Sequence, residues 1–255
     1  MVQWIAFKTI VRREFFRFIR LWVQTILPSM ITISLYFIIF GNLIGSQINH
    51  IQGYTYMEYI TPGLIMLAVI NNSYANVSGS FFSLRFQGCI DELLIAPVKN
   101  WVIMAGFVLA GIIRGMTVGL AVSAIASFYT TLHIQSYTLF ISILFLTATM
   151  CSLAGLLNAL YARRFDDIAF VPTFVLTPLI YLGGVFYPLK LLSPFWQKLS
   201  LMNPILYIVN AFRYSMLGLT DVTILIALII VAVTAVGLWI CNLRLLNDRE
   251  RITIV

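Results

Sequence analysis

The sequence predicts an all-α integral membrane protein. Six transmembrane helices are expected, with an N-terminal interfacial helix, a short cytoplasmic helix, and re-entrant helices between spans five and six. Three observations carry this reading. Hydrophobic residues make up 61% of the 255-residue chain and charged residues 10%, where a soluble domain is roughly 25% charged. So few charges cannot cover a soluble surface of this size, and lipid is the expected solvent. Six stretches approach the ~20 apolar residues that cross a bilayer, at 21–44, 59–82, 102–129, 137–161, 168–186 and 222–243. The third observation is a lopsided distribution of Lys and Arg among the connecting segments. One membrane domain, 1–255, is expected.

Taken in order, Trp4, Phe7, Val11, Phe15, Phe18 and Trp22 recur every three or four residues and share one helical face, while Lys8, Arg12, Arg13, Arg17 and Arg20 fall on the other. That is the pattern of a helix lying in the membrane interface over 1–20. An N-terminal extension of the first span is the plainer alternative, and Pro28 with the charge density favours the separate helix. A signal peptide would need a short apolar core and a small-residue cleavage site soon after the charges, which this pattern does not give. With six spans both termini share a side. The N-terminal segment, Arg85 and Lys99, Arg163 and Arg164, and Arg244, Arg249 and Arg251 put twelve basic residues on that side, against Lys190, Lys198 and Arg213 on the other. Both termini are therefore expected in the cytoplasm.

The net charge of +7 reads as basic residues held against anionic lipid rather than nucleic acid. Cys89, Cys151 and Cys241 are far apart, and His50 and His133 are isolated. No metal site or disulfide framework is expected. No phosphate-cradling Gly-x-x-x-x-Gly-Lys-Ser/Thr loop, His-Glu-x-x-His or Gly-x-Ser-x-Gly occurs. The acidic pairs Asp91–Glu92 and Asp166–Asp167 stand near arginines in cytoplasmic loops, as charge balance. The lack of a carboxylate at mid-span weighs against a proton-coupled carrier.

Three places stand out. In the loop 83–100, Ile90, Leu93 and Leu94 form a short apolar face flanked by Asp91 and Glu92, and Pro97 ends the helix. Such a helix either docks into a groove of a soluble partner or lies on the bilayer. After span five, Gly183, Gly184, Pro188 and Pro204 interrupt a largely apolar stretch. Broken backbone at membrane depth survives only when buried in protein or lining a cavity, which favours re-entrant helices over 184–220 rather than an external loop with an aromatic belt. Arg114 lies mid-span, with Asn71, Asn72 and Asn76 at comparable depth on the neighbouring span. It marks a polar path or subunit contact, or a structural hydrogen bond to those amides.

The basic interfacial helix, Asp91-Glu92-Leu93-Leu94-x-x-Pro97, Leu182-Gly183-Gly184-Val185-Phe186-Tyr187-Pro188 and Met202-Asn203-Pro204-Ile205-x-Tyr207 together closely resemble the type-2 ABC transmembrane permeases. These are membrane subunits of bacterial ABC exporters, including drug-efflux and capsule or O-antigen polysaccharide systems. The resemblance covers essentially the whole chain in order and spacing. It implies a permease of the inner membrane, a homodimer paired with two copies of a separate ATPase that carries ATP and Mg, and no catalytic residue or bound cofactor on this chain. It implies that Arg85, Gly88, Asp91, Glu92, Leu93, Leu94 and Pro97 belong to the coupling helix. It implies that Gly183, Gly184, Phe186, Tyr187, Pro188, Asn203 and Pro204 belong to an external gate. These marks are shared by exporters of different cargo and name no substrate. The alternative is an ATP-independent membrane carrier or channel.

Overall fold

The structure, a computed structural model, describes residues 1–41, 51–90 and 95–248. Among these it is helical, and the only extended pairing is a single bridge between Ile51 and Tyr54. The principal helices are α1 (Val2–Arg20), α2 (Trp22–Ile39), α3 (Tyr56–Phe86), α4 (Asn100–Tyr129), α5 (Tyr137–Tyr161), α6 (Phe165–Val171), α7 (Thr177–Leu182), α8 (Pro194–Leu201), α9 (Pro204–Leu217) and α10 (Ile224–Asn247). Helices α6 and α7 are joined without a gap by a π-helical turn, Pro172–Leu176. Pro172 brings no amide donor to the helix, and Ile168 O, the carbonyl that donor would have reached, accepts from Asn158 Nδ2 of α5 at 3.1 Å.

Helix α3 is the axis of the bundle. Thr55 and Glu58 close a reciprocal capping box at its start, satisfying amide groups that the first turn leaves open. Of its 31 residues, 23 are buried. At 1.5 Å per residue it runs about 46 Å, more than the ~30 Å hydrocarbon core. Among the described residues five segments are both long and apolar enough to cross a membrane: α2, α4, α5, the α6–α7 segment and α10. The predicted span 59–82 falls inside α3 but is not among the five. Its Asn71, Asn72, Ser73, Asn76, Ser78 and Ser80 make it long enough to span yet too polar, and most of these groups point into protein.

Close approach of α4 comes from glycine. Gly111, Gly115 and Gly119 recur every four residues and form one stripe. On α3 the stripe meets Val77, Ser73 and Val69; on α5 it meets Ser152, Ala148 and Leu144. Both partners descend in number as α4 ascends, so α4 runs antiparallel to each and sits in the groove between them. Small residues at such a seam let backbones close where lipid supplies no hydrophobic drive between helices.

Two expectations are corrected here. The break between the interfacial helix and the first span falls at Leu21, whose φ of −106° and ψ of 15° leave the helical region. Pro28 does not make it, since it stands inside α2. Arg213 is not an external loop charge: it lies in α9 and is 2% exposed. Helix α9 as a whole has 12 of its 14 residues buried and packs on α3, α5 and α10, so this part of 184–220 is no free loop.

Replacing Gly115 by Leu should force Ser73 and Ala148 apart and cost about 2–3 kcal/mol by overpacking. Thermal unfolding in detergent should show the loss. Gly237→Leu in α10, where a Cβ would meet nothing within 4 Å, should leave the midpoint close to that of the parent.

Candidate functional site

The candidate side chains collect at one end of the bundle, at mid-height and at the other end. At the first end α3 stops at Gly88, whose φ of 73° is a left-handed conformation that a Cβ disfavours. Just before it, Arg85 Nη1 donates to the carbonyls of Ala159, Leu160 and Ala162 at 3.1, 2.7 and 3.0 Å. The last turn of a helix leaves carbonyls unpaired and partially negative, and Arg85 answers both for α5. Phe86 and Phe165 meet edge to face at 4.8 Å, bringing the start of α6 to the same end. Where the loop returns, Gln3 of α1 donates to Pro97 O at 2.8 Å and accepts from Lys99 N at 2.9 Å. Asn100 donates to Leu246 O and Asn247 Oδ1, both at 2.8 Å. The starts of α1, α4 and α6 and the ends of α3, α5 and α10 therefore share one end. Of the expected coupling residues, Arg85, Gly88 and Pro97 frame the loop; Asp91, Glu92, Leu93 and Leu94 lie outside the described residues.

At mid-height four helices meet in a polar cluster. Arg114 of α4 donates to Asn76 Oδ1 at 3.4 Å and Asn72 Oδ1 at 3.2 Å. Asn72 in turn donates to Ser29 Oγ of α2 at 2.9 Å. From α1, Arg17 donates to the same Asn76 Oδ1 at 3.0 Å and pairs with Glu14 at 2.8 Å. Ser80 also donates to Glu14, at 2.7 Å. The sequence placed Asn72 and Asn76 beside Arg114 correctly. Asn71 instead faces outward and is exposed. Glu14 and Arg17 were missed as members. Glu14 is the only acid in the first twenty residues and stands three before Arg17, a spacing that puts both on one helical face.

At the opposite end the chain after α7 turns back. Gly184 has φ of 71°, and its carbonyl accepts from buried Arg213 at 2.6 Å. That guanidinium lies over the Tyr59 ring, 4.2 Å from its centroid, a favourable cation–π placement. Val185 presses its backbone on α3 at Gly63, where a Cβ would lie 2.5 Å from Val185 O. Phe186 joins Tyr36, Phe40 and Tyr181 with ring centroids 5.4–5.8 Å apart. Tyr187 donates to Tyr181 O at 2.8 Å, and Pro188 O accepts from Leu191 N at 3.1 Å. Asn203 caps α9 by accepting from Ile205 N at 3.0 Å and ties back to Leu179 O at 2.6 Å. Pro204 opens α9 at a position whose amide would be unpaired anyway. Gly183, Gly184, Phe186, Tyr187, Pro188, Asn203 and Pro204 thus belong to one structure, and Arg213, which holds its central carbonyl, completes it.

Arg85→Ala should strand the carbonyls at the end of α5 and cost at least about 2 kcal/mol, with Arg85→Lys restoring part. Unfolding of the detergent-solubilised protein measures both. An unchanged midpoint for Arg85→Ala would leave the guanidinium without this bracing role.

Residues 5–217 match the ABC-2 type transporter family. The chain is 53% identical over 239 residues to the inner membrane transport permease YadH of Escherichia coli K12, covering 94% of this chain and 93% of that one. It is 20% identical over 227 residues to nodulation protein J of Neorhizobium galegae, with 88% and 86% covered. Against nodulation protein J of Sinorhizobium fredii it is 23% identical over 219 residues, with 84% and 81% covered. Matched over most of its length and built of several helices fit to cross a bilayer, the chain is a membrane transport permease and belongs to the ABC-2 type transporter family.

Proposed function

We propose that this chain is the permease subunit of an ATP-driven exporter of the bacterial inner membrane. Two copies form the substrate pathway, and two copies of a separate ATPase, holding ATP and Mg, dock on the loop 83–100. In this reading α3 is the sixth span, both termini are cytoplasmic, and the segment 184–220 dips into the outer leaflet and closes the exit. The chain itself supplies no catalytic group.

The observation that carries the reading is how the loop is fixed at both feet. Arg85 anchors the outgoing foot to α5. Gln3 and Asn100 anchor the returning foot to α1 and α10. A push on such a loop is passed to five helices at once, where an unanchored loop would merely bend. Rigid-body movement of helices between two packed arrangements is a known form of transport switching. Asn71 lends further support. It is exposed midway along α3, and an amide at that depth is poorly placed against lipid and better placed against a second subunit or a wet path. An ATP-independent carrier or channel would need none of this anchoring.

Replacing Glu92 with Lys should reduce copurification of the ATPase by about tenfold, as expected for one charge reversed at a small interface, with membrane insertion intact. Gln3→Ala should leave the ATPase bound but lower transport several-fold, because the push is no longer shared with α1. Full transport by both variants would remove the docking and bracing roles together.

The dipping segment has its own test. Leu191 and Phe195 are 74% and 69% exposed on the isolated chain. Cysteines at these positions, in a background lacking Cys89, Cys151 and Cys241, should react slowly with membrane-impermeant thiol reagents because lipid covers them. Labelling should change when the ATPase is trapped with nucleotide. Rapid labelling at both positions, indifferent to nucleotide, would mean an aqueous external loop.

A further inference from the structure

We propose that Arg114 and Arg17, with the arginines beside them on α1, form a recognition site for the anionic headgroup of an amphiphile. A phosphate or carboxylate bearing an apolar tail is the class of ligand. The binding stands by itself, and only the movement of that amphiphile rests on the permease reading above.

Charge balance in the mid-height cluster leads to this. It holds two guanidinium groups and one carboxylate. The carboxylate, Glu14, is taken by Arg17 and Ser80. Arg114 donates to two neutral amide oxygens, and among the described residues no carboxylate pairs with it. Both Arg17 Nε and Arg114 Nε are buried without a partner. A neutral side chain at 114 could hold α3 to α4 through Asn72 and Asn76 without bringing a charge into an apolar bundle. The charge needs a different reason, and an anion supplies one.

Geometry gives that anion a route. One nitrogen of each guanidinium lies on the same Asn76 oxygen, at 3.0 and 3.4 Å, so the two groups stand side by side, and a single phosphate oxygen taking the place of that amide oxygen would meet both. Arg17 also lines a cavity of about 350 Å³ together with Arg13, Phe16 and Arg20. Arg13, Arg17 and Arg20 follow at intervals of four and three on one helical face. The result is a ladder of guanidinium groups from the surface of α1 to the centre of α4. Bidentate planar donors of this kind suit phosphate and carboxylate. Exposed Ile19, Trp22 and Val23 stand along the same stretch of chain and offer apolar surface to a tail. Three cations with an adjoining apolar face fit an amphiphile better than a small soluble anion.

The test uses the full-length protein in nanodiscs of neutral phosphatidylcholine, with energy transfer from its tryptophans to pyrene-labelled lipids. Pyrene-labelled phosphatidate should bind saturably and about tenfold tighter than the matched diacylglycerol, as charge-assisted bonds imply. Arg114→Gln should lower that affinity at least fivefold, and Arg114→Lys should retain most of it. The pair Arg13→Gln and Arg20→Gln, both at exposed positions, should also weaken binding while leaving the fold intact. Equal affinity for the two probes, or affinity unchanged in all of these variants, overturns the site. With the ATPase present, ATP-dependent movement of bound phosphatidate identifies the headgroup as cargo; tight binding without movement identifies it as a resident lipid on the same site.

Discussion

A bilayer has no water to receive a stray hydrogen bond, so polar groups buried along α3 find partners only within the protein. The rest of the structure follows from that constraint. Asn72, Ser73, Asn76, Ser78 and Ser80 are buried along one helix. Ser78 turns back to Ala75 O of its own helix, while Asn72, Asn76 and Ser80 are met by side chains of α1, α2 and α4, which must come close. The Gly111, Gly115 and Gly119 stripe lets α4 do so, and its closeness brings Arg114 to Asn72 and Asn76. Packing and polarity are therefore one problem here. A bulky residue in the stripe would loosen the seam and also withdraw the arginine from its amides.

The same constraint explains why arginine stands at the end of α5 and at the chain reversal after α7. A helix terminus leaves carbonyls without donors, and a guanidinium offers several donors in a fixed plane together with a charge that complements the helix dipole. Arg85 serves the end of α5, and Arg213 serves the carbonyl of Gly184 where the chain reverses after α7. Each arginine is carried on one helix and bonded to another segment, so each is also a brace between elements. Tyr59 on α3 gives Arg213 a ring face as well as an environment, which ties the reversal to the central helix.

Much of this arrangement was legible in the sequence, for identifiable reasons. Length and apolarity locate spans because hydrocarbon thickness fixes both, and the stretch 137–161 coincides with α5 at both ends. The reversal after span five was legible because Gly183, Gly184, Pro188 and Pro204 have few other uses in an apolar run. What escaped depends on side-chain direction. Arg213 counts as a loop charge in any tally by position, because nothing in its composition says that α9 turns it toward Tyr59. Pro28 suggests a break on propensity alone, yet α2 carries it; its outer face is exposed through Leu27 and Ile31, leaving room around the ring. Glu14 is a single acid among the basic residues of α1. Its role appears only once Ser80 of α3 is known to face it.

The exposed surface of the chain is apolar on several of its helices. Along α2, Leu27, Ile31, Leu35 and Ile38 face outward; along α6 and the turn after it, Phe170, Phe174 and Val175; along α10, Leu225, Ile229, Val233 and Val236. Such surfaces suit acyl chains. Asn71 differs, being an exposed amide midway along α3, a helix with 23 of its 31 residues buried. Its neighbours Asn72 and Asn76 are already committed to Arg114, so it has no inward role to take up. The outer surface is thus apolar around most of the bundle and interrupted by polarity at the height of the Arg114 cluster. In a transport permease, that interruption is where a path for a polar group has the least desolvation to overcome, since amides and a guanidinium already stand at the depth where lipid offers nothing.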